Sequence, residues 1–574
     1  MAFLFAAVLV LLSSVTWWHR NLNDDFAIAN ALSGRLLGEQ GLSLFVNAAL
    51  CQAIYALNVA YANFNWFAVL ELATVFLSYF TIAYISIRHM PLRMGAVVIA
   101  FMGIYAMPIC IVINNFTCVA FIAACAGCMV LTSSLIFDCH APTDIIWGIS
   151  LIVVGSLWRF AMVLICIPLF GVVALAIALY KREAIGSTGR SVLRLWPFVV
   201  AVIISLGLGA YDMAVWQQSP WSDWRTYNDA RANLSDYPHK DYEEVKDELK
   251  EIDVSKNDYR LLFNWVSEDP DFYTTERLTK IFEIAGVSSL ANKTPTGVLK
   301  DYAKRILSDR GFTLMVGFMF LFALFFLRGK NKALGIGVLL MGLIIAICFH
   351  AVGRLPERVH YPVWLIAFSA VAMLAAYQWS LRGPESQGDE FASSNILLKI
   401  CEVALGLLAI ALPFIAAAHI AILCHDHFVP ERLTSTFATE SFEPDNAFVD
   451  YVHEHPDNVF ACQNMAHREL YYSHRMRAFY DDELQRRIIG IGGWASRSPF
   501  TNAKNEAAGM ENPLKGLLDN ENARFVSGSE SVTKYVHQYL KEHYDKNAKC
   551  ELVDTISGDN TFATLKVYQF TRGK

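Results

Sequence analysis

Runs of apolar residues recur along the chain, separated by short polar turns in the first third and by two long polar blocks later. A helix crossing a bilayer needs about 17 to 25 mostly apolar residues, because in hydrocarbon only its own backbone hydrogen bonds can satisfy its polar groups. On that ruler about eleven spans are expected, near 2–18, 65–87, 94–113, 116–136, 145–158, 160–180, 195–213, 312–327, 333–350, 361–380 and 395–423. The first lacks a basic flank and a small-residue cleavage site, so it reads as a retained anchor. Segment 42–63 is apolar but interrupted by Asn47, Gln52 and Asn58, which suits a helix lying in the membrane interface.

The basic residues orient this array. With the N-terminus in the cytoplasm, the inner connections hold ten Lys and Arg: Arg88, Arg93, Lys181, Arg182, Arg190, Arg194, Arg328, Lys330, Lys332 and Arg382. The short outer connections hold five: Arg20, Arg35, Arg159, Arg354 and Arg358. The bias favours an N-in protein of the plasma (inner) membrane, and the outer arginines need another reason to be there. Both polar blocks then fall outside. The expected division is 1–213 as the first membrane part, 214–310 as an external helical insertion, 311–424 as the second membrane part, and 425–574 as an external unit. In that last unit, alternating stretches such as NVFACQN and TFATLKVYQF mixed with helical patterns read as a small α/β domain.

Composition sharpens the exclusions. Hydrophobic residues make up 55% of 574, charged residues only 17%, and mean hydropathy is +0.35. A purely soluble or disordered chain is ruled out. The net charge of -6 offers no basic field for nucleic acid. Cys125 and Cys128 share a metal-like spacing, but their surroundings, AACAGCMVL, read as mid-membrane helix. Cys462 and Cys550 lie in the external unit, where an oxidising compartment would permit them to pair.

Four groups of residues offer chemistry. In NDDF, Asp24 and Asp25 sit beside a membrane boundary, where carboxylates are costly unless they face water, a cation or a polar substrate. They suit either a helix cap or a general base and metal ligand at a cavity mouth. Between the two runs 145–158 and 160–180, Arg159 requires an anion. The turn FHAVGRLPERVHYP gathers His350, Arg354, Arg358 and His360, which a phosphate would satisfy better than simple snorkelling does. The fourth group is aromatic: Trp216, Trp221, Trp224, Tyr227 and Trp265 belong to an interfacial belt or stack on sugar rings. The Gly-rich GIGGW at 490–494 lacks dinucleotide or P-loop spacing and reads as a loop.

Together these pieces resemble the GT-C class of membrane glycosyltransferases, and most closely the bacterial enzymes that use lipid-linked sugars to modify surface polysaccharides. The segments carrying the likeness are NDDF (23–26) with the SG at 33–34, NNFTCVA (114–120), GSLWR (155–159), NDARANLSDYP (228–238), KNDYRLLFNW (256–265), GRLPERVHYP (353–362) and IGGWASRSP (491–499). The acidic doublet is the class-wide motif among them. The resemblance implies an all-α polytopic membrane bundle with an external helical insertion and a small α/β external domain. It also implies an inverting transfer of sugar from a polyprenyl-phosphate donor to a hydroxyl of a cell-surface glycan or glycolipid. Asp24 would be the base, with Asp25 orienting it or holding a divalent cation, Mg²⁺ or Mn²⁺. Arg159, Arg354, Arg358, His350 and His360 would bind the donor phosphate, and Trp221, Trp224 and Tyr237 the sugar or acceptor.

Two other readings share parts of this pattern. An O-antigen-type polymerase uses the same lipid-phosphate chemistry but needs no acidic doublet in the first outer loop. A flippase or transporter of lipid-linked glycans predicts pseudo-symmetric halves with charges at the membrane midplane. No internal repeat is present, and the ionisable residues cluster toward one face of the expected bundle.

Overall fold

The structure, a computed structural model, describes residues 6, 22–34, 41–62, 64–107, 115–138, 141–182, 187–286, 294–381, 447–463, 482–558 and 564–573. The expected spans at 2–18 (Ala6 apart) and 395–423 lie outside them. The chain begins its described course with a short helix α1 (Leu22–Ala31), an apolar helix α2 (Ala48–Ala60), and then α3 (Trp66–His89) and α4 (Leu92–Met107). With 13 residues, α2 spans about 20 Å at 1.5 Å per residue, too short to cross a bilayer. Next come α5 (Phe116–Phe137), α6 (Pro142–Tyr180) and α7 (Trp196–Trp216). The polar insertion follows, with α8 (Trp221–Ser235), α9 (Lys256–Phe263) and α10 (Pro295–Ser308) among its helices. The bundle resumes with α11 (Arg310–Phe326), α12 (Gly329–Ala351) and α13 (Glu357–Ser380).

This is a membrane protein. Among the described residues, six helices are long and apolar enough to cross a bilayer: α3, α5, α6, α7, α12 and α13. A further span is present if α10 and α11, which meet at 102°, count as one. Asn caps start two of these helices. Asn65 accepts from the Ala68 amide and Asn115 from the Thr117 amide, supplying the acceptors that first-turn N–H groups lack. Residues 116–136 of α5 are all buried, which places this helix at the centre of the bundle.

The runs expected as separate spans at 145–158 and 160–180 follow each other directly as two helical legs that meet at Arg159, whose backbone is extended (φ −164°, ψ 104°). The contacts on either side of the break run in opposite directions along α5. Before it, Gly155 approaches Ala120 and Ala124, and Gly148 approaches Leu131. After it, the chain returns until Lys181 Nζ donates to the Leu135 and Ile136 carbonyls. A straight helix of this length would separate its ends by about 58 Å, so α6 is two antiparallel legs with Arg159 at their tip. Lys181 and Arg194 both pair with Asp138 at the opposite end.

The C-terminal residues form a five-stranded sheet in the order β2-β1-β3-β5-β4, with β1 (Val459–Gln463), β2 (Ile488–Ile491), β3 (Ala523–Ser527), β4 (Lys549–Ile556) and β5 (Leu565–Thr571). Strand β1 runs parallel to β2 and β3, and β5 runs antiparallel to β3 and β4. Helices α14 (Pro499–Ala507) and α15 (Glu530–His543) flank it. The pairing expected as an option for Cys462 and Cys550 does not form. Two strands separate β1 from β4, about 14 Å at the usual strand spacing, well beyond disulfide reach. Both thiols are free.

The two polar blocks pack on each other. Asn257 Nδ2 donates to the Tyr535 carbonyl at 2.9 Å, Tyr539 Oη donates to Asp269 Oδ2 at 2.7 Å, and His543 Nε2 meets Asp258 Oδ1 at 2.8 Å. They therefore share one face of the bundle.

The α5–α6 contact depends on small residues. A methyl group at Gly127 would lie 2.6 Å from the Gly148 carbonyl and 2.8 Å from Ile152, whereas one at Gly171 would meet nothing within 4 Å. Gly127→Leu is expected to lower the melting temperature of the detergent-solubilised protein, at a cost of at least about 1–3 kcal/mol from overpacking. Gly171→Leu should leave it unchanged.

Candidate functional site

A cavity of about 670 Å³ opens where the bundle, the insertion and the α/β unit meet. Segment 22–47 contributes Asp24, Ala27 and Phe45, and the tip of α6 contributes Arg159. The α12–α13 turn supplies Arg354 and Arg358, the insertion Arg231, Asp236, Tyr237 and Trp265, and the α/β unit Gln463, Gly492, Gly493, Trp494, Lys504 and Asn505. Among the described residues, five cations thus face two carboxylates.

Several backbone anchors hold the loop carrying Asp24. Asn58 Nδ2 donates to the Leu32 carbonyl at the end of α1, and the Gly41 amide donates to Ala31. The Asn47 amide donates to the Leu157 carbonyl just before the α6 tip, while Asp212 accepts from the first amide of α2. The acidic loop, the tip and α7 are therefore tied together.

Asp24 Oδ2 lies 3.4 Å from Arg358 Nη1, and 20% of its side chain remains exposed to the cavity. Burial raises its pKa above the ordinary aspartate value. Arg358 and Arg159 oppose that rise, and so does a hydrogen bond from the Trp494 side chain. The Arg159 guanidinium lies over the rings of Phe45 (5.5 Å) and Phe116 (5.3 Å), which stack on each other. Its Nη1 is buried and has no hydrogen-bond partner among the described residues. A buried donor of this kind is costly unless an acceptor oxygen completes it. Arg354 is engaged differently, pairing with Asp236 at 2.9 Å and lying over Tyr237 at 5.1 Å.

Loop 491–498 carries Trp494 to this place, and the insertion grips it. The carboxylate of Glu268, 1% exposed, accepts from the Gly492 amide and from Ser496 Oγ at 2.6 Å. Trp224 Nε1 donates to the Ser496 carbonyl at 2.9 Å. Gly492 has φ 98°, and a methyl group there would sit 3.3 Å from the Trp265 carbonyl, so glycine is required. Burial raises the pKa of Glu268, and the hydroxyl and amide donors counter it.

The structure therefore brings together Asp24, Arg159, Arg354, Arg358 and Tyr237, residues separated by up to 334 positions in sequence. It does not bring the others. On α1, where successive side chains diverge by about 100°, Asp25 is 7% exposed and lies off the cavity wall. His360 is buried, stacked on Phe312 at 4.0 Å and joined to Tyr302 Oη at 2.9 Å. His350 packs 5.5 Å from the Tyr302 ring, also away from the cavity. Both histidines help hold α10 against α12 and α13 instead of meeting a phosphate. Trp221 and Trp224 form an edge-to-face pair at 5.9 Å, and Trp224 spends its N–H on Ser496, so neither offers a free face to the cavity.

A divalent cation does not suit this donor set. Asp24 stands beside two guanidiniums, and Asp236 is committed to Arg354. Among the described residues, the one group with metal-like spacing is Asp258, Glu542 and His543, where the insertion meets the α/β unit. There Asp258 already accepts from the Ser255 amide and faces His543.

Sequence reasoning missed Arg231, Asp236, Trp494 and Lys504 as cavity residues. Arg231 and Asp236 lie within NDARANLSDYP, and Trp494 within IGGWASRSP, so the segments were noticed without these roles. Nothing about Lys504, in a soluble-looking helix, signals burial in a cavity.

No protein-family model matches the chain, and no curated protein matches it. Among solved structures, it is similar to ArnT from Cupriavidus metallidurans bound to undecaprenyl phosphate, with 10% identity and a TM-score of 0.45 over 98% of this chain and 97% of that one. A likeness at this level carries no functional argument, and function is read from the cavity itself.

Glu268→Ala should cost about 3 kcal/mol by leaving buried donors unpaired, and it should release loop 491–498. Hydrogen exchange at the Gly492 amide is expected to accelerate by two orders of magnitude or more, while exchange in β3 stays slow.

Proposed function

We propose that this protein is a GT-C-type glycosyltransferase that moves a sugar from a polyprenyl-phosphate donor to a hydroxyl of a cell-surface glycan or glycolipid, with inversion. One observation carries the reading: a half-buried carboxylate, Asp24, faces a cavity at the edge of the bundle beside Arg358 and the partly unsatisfied Arg159. A base and a phosphate receptor at adjacent positions on one wall are what this displacement needs.

In the proposed step the acceptor oxygen attacks the anomeric carbon as its proton passes to Asp24. The bond from the anomeric carbon to the phosphate oxygen breaks, its electron pair stays on that oxygen, and the lipid leaves as a phosphate monoester. The monoester carries more charge than the donor diester. Guanidiniums from Arg159 and Arg358 would stabilise this developing charge in the transition state. Tyr237, Trp265 and Trp494 give the cavity aromatic faces for sugar rings. We place the cavity on the outer face of the plasma membrane with the N-terminus inside, which gives the outer arginines a task consistent with the loop-charge bias. A polymerase would use the same receptor, but the carboxylate beside it favours simple transfer.

Asp24→Asn is expected to lower kcat by a factor of about 10²–10⁴ with folding intact, and undecaprenyl phosphate should still bind. Normal turnover in that variant would rule out Asp24 as the base. The base works only when ionised, and its pKa is raised. The acidic limb of kcat/KM should therefore lie above the ordinary aspartate value of about 3.9. Arg358→Gln removes a charge that lowers this pKa and should move the limb to higher pH.

A further inference from the structure

The cavity holds more positive charge than a polyprenyl-phosphate donor can neutralise. Its charged lining among the described residues is Arg159, Arg231, Arg354, Arg358 and Lys504 against Asp24 and Asp236, a surplus of three. A phosphodiester brings one negative charge, and the departing monoester brings up to two. Two cations are left without a counter-charge throughout the proposed reaction, because the proton that Asp24 takes offsets the second charge of the monoester. Lys504 is set apart from the arginines by its position.

Lys504 is 8% exposed, and among the described residues no carboxylate pairs with it. Burial lowers its pKa to about 8, so it still carries its charge at neutral pH. It lies on α14 near Cys462, the residue preceding Gln463 at the end of β1. Gln463 and Gly490 line the same part of the cavity, at the carboxyl ends of the parallel strands β1 and β2. In α/β sheets that edge is where polar ligands seat. A second observation points the same way: Asn505, 2% exposed and also lining the cavity, has an Oδ1 atom with no hydrogen-bond partner among the described residues. A buried ammonium beside an unused amide oxygen is costly unless a ligand completes both.

We propose that the α/β unit carries an acceptor subsite in which Lys504 seats an anionic group of the receiving sugar, a carboxylate or a phosphate, while Asn505 accepts from a neighbouring hydroxyl. This assignment rests on the sugar-transfer reading and adds to it the chemical class of the acceptor. The α/β unit then selects the acceptor while the bundle holds the donor, with Trp494 and Asp24 between the two.

The test titrates the full-length protein in lipid nanodiscs with glucose, glucuronate and glucose 6-phosphate, following tryptophan fluorescence, and separately with undecaprenyl phosphate. At least one anionic sugar is expected to bind tenfold or more tightly than glucose, and which of the two does so distinguishes carboxylate from phosphate. Lys504→Gln should reduce that preference to within twofold and Lys504→Arg should retain most of it, with undecaprenyl phosphate affinity unchanged in both. Equal binding of charged and neutral sugars by the wild-type protein overturns the subsite without recourse to any variant, as does an undiminished preference in Lys504→Gln. Failure of undecaprenyl phosphate to bind, with the anionic preference intact, would instead count against the donor reading alone.

Discussion

A guanidinium at the edge of a hydrocarbon slab must find water or an anion, and much of this fold is arranged around that requirement. Arg159 cannot lie within a straight spanning helix, so the chain reverses there. The extended residue at the tip of α6 sets the side chain over the stacked rings of Phe45 and of Phe116, the first residue of α5. Arg354 and Arg358 reach the same depth from the turn between α12 and α13. The polar blocks close over these cations and convert a membrane edge into a cavity.

Charge and packing cooperate in that closure. The insertion and the α/β unit meet through buried acids: Asp258 against His543, Asp269 beneath Tyr539, and Glu268 under the Gly492 loop. Each is hydrogen-bonded from the opposite block, so the two blocks hold one arrangement. Because Trp494 sits on the gripped loop, its position beside Asp24 is set by Glu268 and Trp224 as much as by its own strand. The Phe45–Trp494 edge contact at 5.1 Å links this loop back to the ring pair under Arg159. Asp24, the guanidiniums beside it and the aromatic wall are thus mechanically one assembly.

How much of this was legible in the sequence depended on which physical rule each residue violated. Asp24, Arg159, Arg354 and Arg358 broke the rules of membrane placement, a local test that needs no tertiary structure. The bundle helices were likewise visible as apolar runs, although the break at Arg159 showed only as one charge between two such runs. His350, His360, Trp221 and Trp224 are residue types that bind ligands, but here they serve packing, and composition alone could not tell which. Lys504 and Arg231 obey every local rule. Only the fold buries them, by bringing two polar helices, α8 and α14, to the wall of the cavity. In the acidic doublet the helix separates two neighbours that sequence treats alike, sending Asp24 into the cavity and Asp25 into the protein.

The central claim is that one cavity holds the lipid phosphate between Arg159 and Arg358 with Asp24 beside it. The most direct measurement is an electron cryomicroscopy map of the full chain in nanodiscs with undecaprenyl phosphate bound. The account predicts phosphate density within about 4 Å of both guanidiniums, the range of a direct ion pair, with the Asp24 carboxylate facing the same space. Phosphate density at the opposite face of the bundle, or in this cavity with Asp24 turned away behind the wall, would contradict it.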